Sequence, residues 1–397
     1  MHHKRFISFA LLLILIAANM RIAIIVIPPL TTLLQRSLGL STSEIGSLTS
    51  IPLLCFGVFS AIGSFIIKRI GLHTTLMTGL IVLTIANFVR IYSPTLLFVG
   101  TLFVGLAIAV LNIGVPILVL SWFPSEQIRL NGLYTASLNL FAAIVAGGSA
   151  AVAQHLGWQT TVQLISIPAL LAVIYLTVFL IRTPKQAPQS QTATDAAPAT
   201  KQNHHSSVYK NNAVWLLMVF MGAQSAIYYA AVAWLPSLLT SHGLSATTSN
   251  LIFGVFQIIG VPFSYWAPRF LTGYKQLRIG LTLILLGYLI GLAPFLFDSG
   301  TVTLTLATMI LGATTAAIFS LALSLITILA NNPDEAGQIG GLAQSGGYLI
   351  ASVSPVLLGV LQSQTHSWSI IVVVLMVLAV INISIGFVLN RVHFKRA

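Results

Sequence analysis

Arg21 lies near the middle of an apolar stretch that runs from about residue 8 to 34. A guanidinium at such a position cannot shed its proton. Placing it at the centre of a bilayer costs at least ~2.5–3.5 kcal/mol on insertion scales. It therefore requires a watery cavity, a polar network or an anion. The chemistry this predicts is capture of the anionic or electron-rich end of a small solute. The structural alternative is that backbone carbonyls satisfy it. Pro28 and Pro29 have no N–H, so they free the carbonyls of Ile24 and Ile25 in the same helix.

Other polar side chains fall inside apolar stretches at helical spacing. Gln224 and Tyr228 are four apart, as are Gln344 and Tyr348, so each pair shares a helix face. Asn112 stands four residues before Pro116, where a kink would free its carbonyl, and Gln257 precedes Pro262. Neutral amides and phenols suit a small polar solute, because they orient hydrogen bonds without fixed charge. Bonding between helices is their other use, at ~0.6 kcal/mol per contact. The predicted substrate-binding set is Arg21, Asn112, Gln224, Tyr228, Gln257, Gln344 and Tyr348. No catalytic group, metal ligand set or cofactor is expected. Cys55 is solitary in an apolar setting, and His204-His205 reads as solvated. Gly340-Gly341 and Gly346-Gly347 lack the Lys-Ser/Thr of a phosphate-binding loop.

The elements that hold these residues follow from composition. Of 397 residues, 57% are hydrophobic and 6% charged, against roughly 25% charged in a soluble domain. This excludes a soluble fold and bulk disorder and leaves a polytopic helical membrane protein in contact with the lipid bilayer. Candidate spans are 7–34, 45–67, 72–92, 95–122, 130–154, 158–181, 213–241, 247–268, 277–297, 301–330, 338–362 and 368–390. The start, Met1 to Arg5 followed by Phe6 to Ala18, has the outline of a signal peptide. The apolar run resumes after Arg21, however, so it reads as a retained first span.

The charges orient the chain. With the N-terminus in the cytoplasm, 15 of the 18 Lys and Arg fall inside, Arg36 and Arg90 fall outside, and Arg21 is left within the membrane. Both termini are thus expected in the cytoplasm. The net charge of +12 marks topology and not nucleic acid, because no dense basic patch occurs. The carboxylates Glu44, Glu126, Asp195, Asp298, Asp334 and Glu335 all fall at span ends or in loops, so no acid stands ready to couple protons within a span.

The stretch 183–211 is rich in Gln, Ala, Thr, Pro and Lys and reads as a flexible cytoplasmic linker. It separates an N-terminal six-helix half, 1–182, from a C-terminal one, 212–397. The halves repeat. Phe123-Pro124-Ser125-Glu126 with Gly132-Leu133 recurs as Asn332-Pro333-Asp334-Glu335 with Gly341-Leu342, and Gly39-Leu40-Ser41 as Gly243-Leu244-Ser245. Parallel repeats of six spans place a substrate site at their interface near mid-membrane.

The chain resembles the major facilitator superfamily, and within it the cyanate transporter and 2-nitroimidazole transporter branch. The resemblance rests on Asn19-Met20-Arg21, Asn112-Ile113-Gly114-Val115-Pro116 with Phe123-Pro124, Trp234-Leu235-Pro236, Gln257 with Gly260 and Pro262, Ala343 to Tyr348, and Ser367-Trp368. Ile22 departs from the Pro usual after the Arg, and Lys68 stands where the superfamily usually has an Asp, which removes the usual salt-bridge gate there. The resemblance implies an all-α membrane protein of twelve transmembrane helices in two parallel halves. It also implies that Arg21 sits on a pore-lining first helix. The expected activity is secondary transport of a small anion or small polar heteroaromatic compound across the bacterial inner membrane, by alternating access, as a monomer. A multidrug or metabolite exporter or a non-transporting nutrient sensor would keep the same fold. A membrane enzyme would need paired carboxylates, a Ser/His pair or a metal cluster, and the spans offer none.

Overall fold

The computed structural model describes residues 2–123, 126–182, 208, 210–271, 273–297, 299–330 and 333–394. Most of the stretch anticipated as a linker, including His204 and His205, lies outside the described residues. The described chain is helical: α1 (His2–Ile25), α2 (Thr31–Leu38), α3 (Thr42–Ile70), α4 (Leu72–Val89), α5 (Pro94–Trp122), α6 (Gln127–Leu164) and α7 (Ser166–Arg182). After the gap come α8 (Asn212–Ser241), α9 (Ala246–Trp266), α10 (Tyr274–Leu292), α11 (Thr301–Leu329), α12 (Pro333–Thr365) and α13 (Trp368–Phe394).

Among the described residues eleven stretches are long and apolar enough to cross a membrane. One of them, Gly132–Arg182, is 51 residues long, about twice what a bilayer needs. It turns back at Gly157, whose φ of 80° and ψ of 159° interrupt the helix. A positive φ of this size is one that L side chains rarely adopt and glycine adopts freely. The described residues therefore hold twelve spans. The anticipated loop between the second and third spans shrinks to Gly71, since α3 continues through Ile70.

The sequence repeat has a local cause. Gly39, at φ 69°, ends α2, and Gly243, at φ 82°, follows α8. Two residues on, Ser41 and Ser245 cap α3 and α9 by accepting from the N–H groups of Glu44 and Thr248. Gly-Leu-Ser is a helix stop followed by a helix start, used once in each half. Ser93 caps α5 in the same way, with Pro94 at the first helical position.

The end of the bundle that holds His2 and Phe394 is here the termini end, and the one with Gly39 and Gly243 the far end. The halves meet mainly along α3 with α12 and α6 with α9. Glycines let the helices approach closely along these seams. A Cβ on Gly46 would overlap the Pro355 carbonyl oxygen, and one on Gly359 would stand 2.8 Å from the Thr42 oxygen. Nearer the middle, a Cβ on Gly57 would stand 2.7 Å from the Leu349 side chain, and one on Gly254 would stand 3.0 Å from the Ala143 oxygen. Trp234 wedges the α3–α12 seam. Its indole N–H donates to the Pro355 oxygen at 3.0 Å, and its ring lies 6.1 Å from that of Trp368. All of these close approaches run from mid-bundle to the far end. Outside this seal lies a vestibule of about 270 Å³ at the far end, lined by hydroxyls and amides such as Thr31, Gln35, Thr42, Ser237 and Gln362, with Trp234 and Trp368.

Candidate functional site

The first span is not one helix. α1 stops at Ile25, because Pro28 and Pro29 bring no N–H to the ladder. Val26 still donates to Ile22 at 3.1 Å, but Ile27 tightens onto Ile24 at 3.3 Å, and a 3-10 turn over Pro28–Leu30 leads into α2. Arg21 sits four residues before this break, half-buried, at the junction of the two halves.

Its partner comes from the other half. Arg21 Nη1 donates to the Tyr228 hydroxyl at 3.1 Å, and that hydroxyl donates onward to Gln257 Oε1 at 3.1 Å. The guanidinium carbon also stands 5.6 Å from the centre of the Tyr228 ring, within cation–π range. Tyr228 in turn lies parallel to Phe256 at 6.0 Å and edge-on to Tyr229 at 5.0 Å. Tyr229 meets Tyr348 at 6.4 Å, and Tyr348 meets Phe56 of α3 at 5.6 Å. The phenols of Tyr228, Tyr229 and Tyr348 are close enough to Arg21 to interact with its charge, as is Tyr134. Tyr134 of α6 donates to Asn112 Oδ1 of α5 at 3.4 Å and lies 3.2 Å from Met20 Sδ.

Five of the seven expected residues are thus gathered by these contacts. Arg21, Tyr228 and Gln257 are bonded in series. Asn112 is tied to Tyr134. Tyr348 closes the aromatic rim, and Gln344 lies half-buried one turn toward the termini end on the same helix. Gln224 stands apart from them. It is 1% exposed, and its amide donates to Ser225 Oγ at 2.6 Å, so it is folded into the helix packing. Tyr134 and Tyr229 fall outside the predicted set, although Tyr134 directly follows the repeated Gly132-Leu133 motif and Tyr229 adjoins Tyr228.

What this arrangement can do is set by the unused part of the guanidinium. Among the described residues only Nη1 has a protein partner, and the Nε and Nη2 edge is a planar fork of donors. No described carboxylate pairs with it. Asn112 is exposed, and Arg21, Tyr134, Gln344 and Tyr348 are all partly so, which makes the space accessible. The closed seams lie toward the far end, so the access is from the termini end.

A family model, Major Facilitator Superfamily, matches residues 9–355. The chain belongs to the major facilitator superfamily. Among its relatives is an uncharacterized transporter, YycB, of Bacillus subtilis (strain 168), 34% identical over 94% of this chain and 92% of that one. The 2-nitroimidazole transporter of Escherichia coli (strain K12) is 28% identical, covering 90% of this chain and 89% of that protein. The cyanate transport protein CynX of the same strain is 24% identical, covering 89% of each. These relatives are in keeping with the cyanate and nitroimidazole branch. Among solved structures, a bacterial homolog of the human lysosomal transporter Spinster, in an inward-facing and unoccupied conformation, has a TM-score of 0.82 at 13% identity, covering 98% of each chain. The D-xylose-proton symporter has a TM-score of 0.77 at 14% identity, covering 98% of this chain and 97% of that one. As a major facilitator, the chain is a multi-pass membrane transporter and not an enzyme.

Charge sorting puts Arg90 on the outer side, at the end of the third span, 72–92. It is the C-terminal cap of α4, at the far end, but it is wholly buried and does not face water, with Nη1 donating to the Ala23 carbonyl at 3.0 Å. Arg21 is therefore not the only cation inside the bundle. The carbonyl freed near the prolines does hold a guanidinium, but it is that of Arg90.

Proposed function

We propose that this transporter moves a small anion, or a small polar heteroaromatic compound with an electron-rich edge, by alternating access. The solute docks on the open edge of Arg21. The observation that carries this reading is the cross-half series Arg21–Tyr228–Gln257, in which one guanidinium edge is fixed and the other is free. Anchoring Nη1 fixes the plane of the fork, so a bound anion loses less orientational freedom to gain its hydrogen bonds. Two relatives whose names specify cyanate and 2-nitroimidazole support this solute class.

The site also joins the moving parts. Arg21 belongs to the half spanning 1–182, and Tyr228, Gln257 and Tyr348 to the half spanning 212–397. A solute that contacts both lowers the energy of the form in which the halves close around it, which is the differential affinity a conformational change requires. The stretch 183–211 serves as the tether between the halves. In this reading the protein works as a monomer in the bacterial inner membrane with both termini in the cytoplasm, and the accessible termini end is the cytoplasmic one.

The test is a thermal-shift screen of the purified protein against cyanate, nitrate and 2-nitroimidazole, repeated on Arg21→Ala. Stabilisation of the parent and its loss in the variant are expected. A ligand that stabilises both equally places the site elsewhere.

A further inference from the structure

The break in α1 leaves the Ala23 carbonyl without its helical donor, because the N–H of Ile27 has turned to Ile24. Arg90 supplies the replacement at 3.0 Å, reaching across from the end of α4. Its Nε and Nη2 are buried without a partner. The whole residue has no exposed surface, so no void that could admit even a water adjoins it. Arg90 therefore cannot meet a solute as Arg21 can. It acts only through what it touches, and what it touches is the turn of α1 that carries Arg21.

The anchor of this contact is independent of α1. The Arg90 N–H bonds to Ala86 at 3.1 Å, which continues α4 to its last residue. A Cβ on Gly100 would stand 2.5 Å from the Arg90 Cβ, so the glycine lets the end of α4 sit directly against α5. The next turn is pinned by Ser93, which caps α5 by accepting from Leu96 at 3.1 Å. α4 and α5 are packed along their lengths. Arg90 thus ties the frayed end of a broken helix to a firm pair of neighbours.

We infer that Arg90 is a positioning residue for Arg21: it clamps the broken end of α1 through the Ala23 carbonyl and so holds the Arg21 guanidinium against Tyr228. This rests on the reading of Arg21 as the group that binds the solute. Ala23 and Arg21 are in the same helical turn, so slackening at Ala23 rotates Arg21 away from the Tyr228 hydroxyl. A hydrogen bond made by a buried charge to a carbonyl that has no other donor is among the stronger ones a fold can lose.

The experiment measures the affinity of the purified full-length protein for 2-nitroimidazole and for cyanate, together with KM and kcat in proteoliposomes. It compares the parent with Arg90→Met, Arg90→Lys, Arg21→Ala and the Arg21→Ala/Arg90→Met double variant. Arg90→Met is expected to weaken binding by about tenfold to a hundredfold. Arg90→Lys should recover part of the loss, since an ammonium still donates to Ala23. In the Arg21→Ala background Arg90→Met should change residual binding no further, because the two act as one unit. If Arg90→Met does not purify, Gly100→Ala displaces the same clamp while keeping its charge, and it too must weaken binding. Parental affinity in Arg90→Met or Gly100→Ala, with binding lost in Arg21→Ala, overturns the clamp alone. An equal loss on removing Arg90 in both backgrounds also overturns it, by showing a role independent of Arg21. Parental affinity in Arg21→Ala refutes the reading of Arg21 and the clamp with it.

Discussion

Gly46→Ala adds one methyl group to the α3–α12 seam and should shift the transport cycle measurably. The new Cβ would overlap the Pro355 carbonyl oxygen, stand 2.9 Å from the carbonyl carbon and 3.1 Å from Trp234 Cζ2. Neither neighbour can yield easily. Pro355 is helix backbone, and the Trp234 ring is held by its bond to the same oxygen at 3.0 Å. Overpacking of this kind costs about 1–3 kcal/mol. The cost falls only on the form in which the far end is sealed. The gain in helix propensity from Gly to Ala, about 1 kcal/mol, applies equally to both forms and cancels. At 1.4 kcal/mol per factor of ten, the equilibrium should move roughly fivefold to 150-fold toward the form with the far end parted. Thr31, which lines the vestibule and is 4% exposed, reports on this. With Thr31→Cys as the labelling site, an impermeant maleimide added from the far side should react faster in the Gly46→Ala background. Cys55, 3% exposed, stays protected. Substrate flux should fall as one half of the cycle becomes uphill. If the labelling rate and the flux both match those of the Gly46 parent, the seam is not the seal described above.

Tyr228→Phe keeps the ring beneath Arg21 but removes the hydroxyl that bonds both Arg21 and Gln257. It should weaken solute binding by about 1.5–3 kcal/mol, read as a rise in Kd by calorimetry, and unchanged affinity would mean the phenol does not orient the guanidinium. Arg21→Lys retains the charge but replaces the planar fork with a point charge. Uptake of a radiolabelled anion should remain well below that of the parent, and full activity would show that charge suffices without the bidentate edge.

Much of the fold is written in the length of the apolar runs and in local punctuation. The Gly-Leu-Ser triplets mark helix stops and starts because left-handed φ and side-chain capping are decided within a few residues. The break in the first span is likewise legible, since two adjacent prolines leave no other course. The fate of Arg90 was not, because its local signals point the wrong way. It follows an 18-residue apolar helix and precedes Ser93-Pro94, which reads as a span end beside water. Only the depth at which α4 ends against α1 and α5 decides its burial, and depth is a tertiary quantity. The same holds for Gln224 and Tyr228. Helical spacing puts them on one face, but that face is wide enough for one to meet Arg21 and the other to be enclosed by neighbouring helices. Tyr134 is likewise decided by tertiary placement, because its contacts, Asn112 and Met20, come from α5 and α1.

The vestibule at the far end has a consequence for how solute arrives. Its lining is hydroxyl, amide and indole without a charge, and the nearest charges by sequence, Arg36 and Glu44, oppose each other. The termini end presents the exposed Arg69, Lys275 and Arg278, with Arg129 paired to Glu126 at 3.8 Å. Long-range attraction of an anion is a matter of such fields, and dissolved salt quenches it beyond about 10 Å at 0.1 M. Encounter from the two faces should therefore differ in kind. From the far face it is governed by diffusion and desolvation and is indifferent to ionic strength. From the termini face it is drawn by a cationic collar and slows as salt rises. The two mouths of one symmetric fold thus have unequal capture rates, although detailed balance forbids this asymmetry from setting the final gradient.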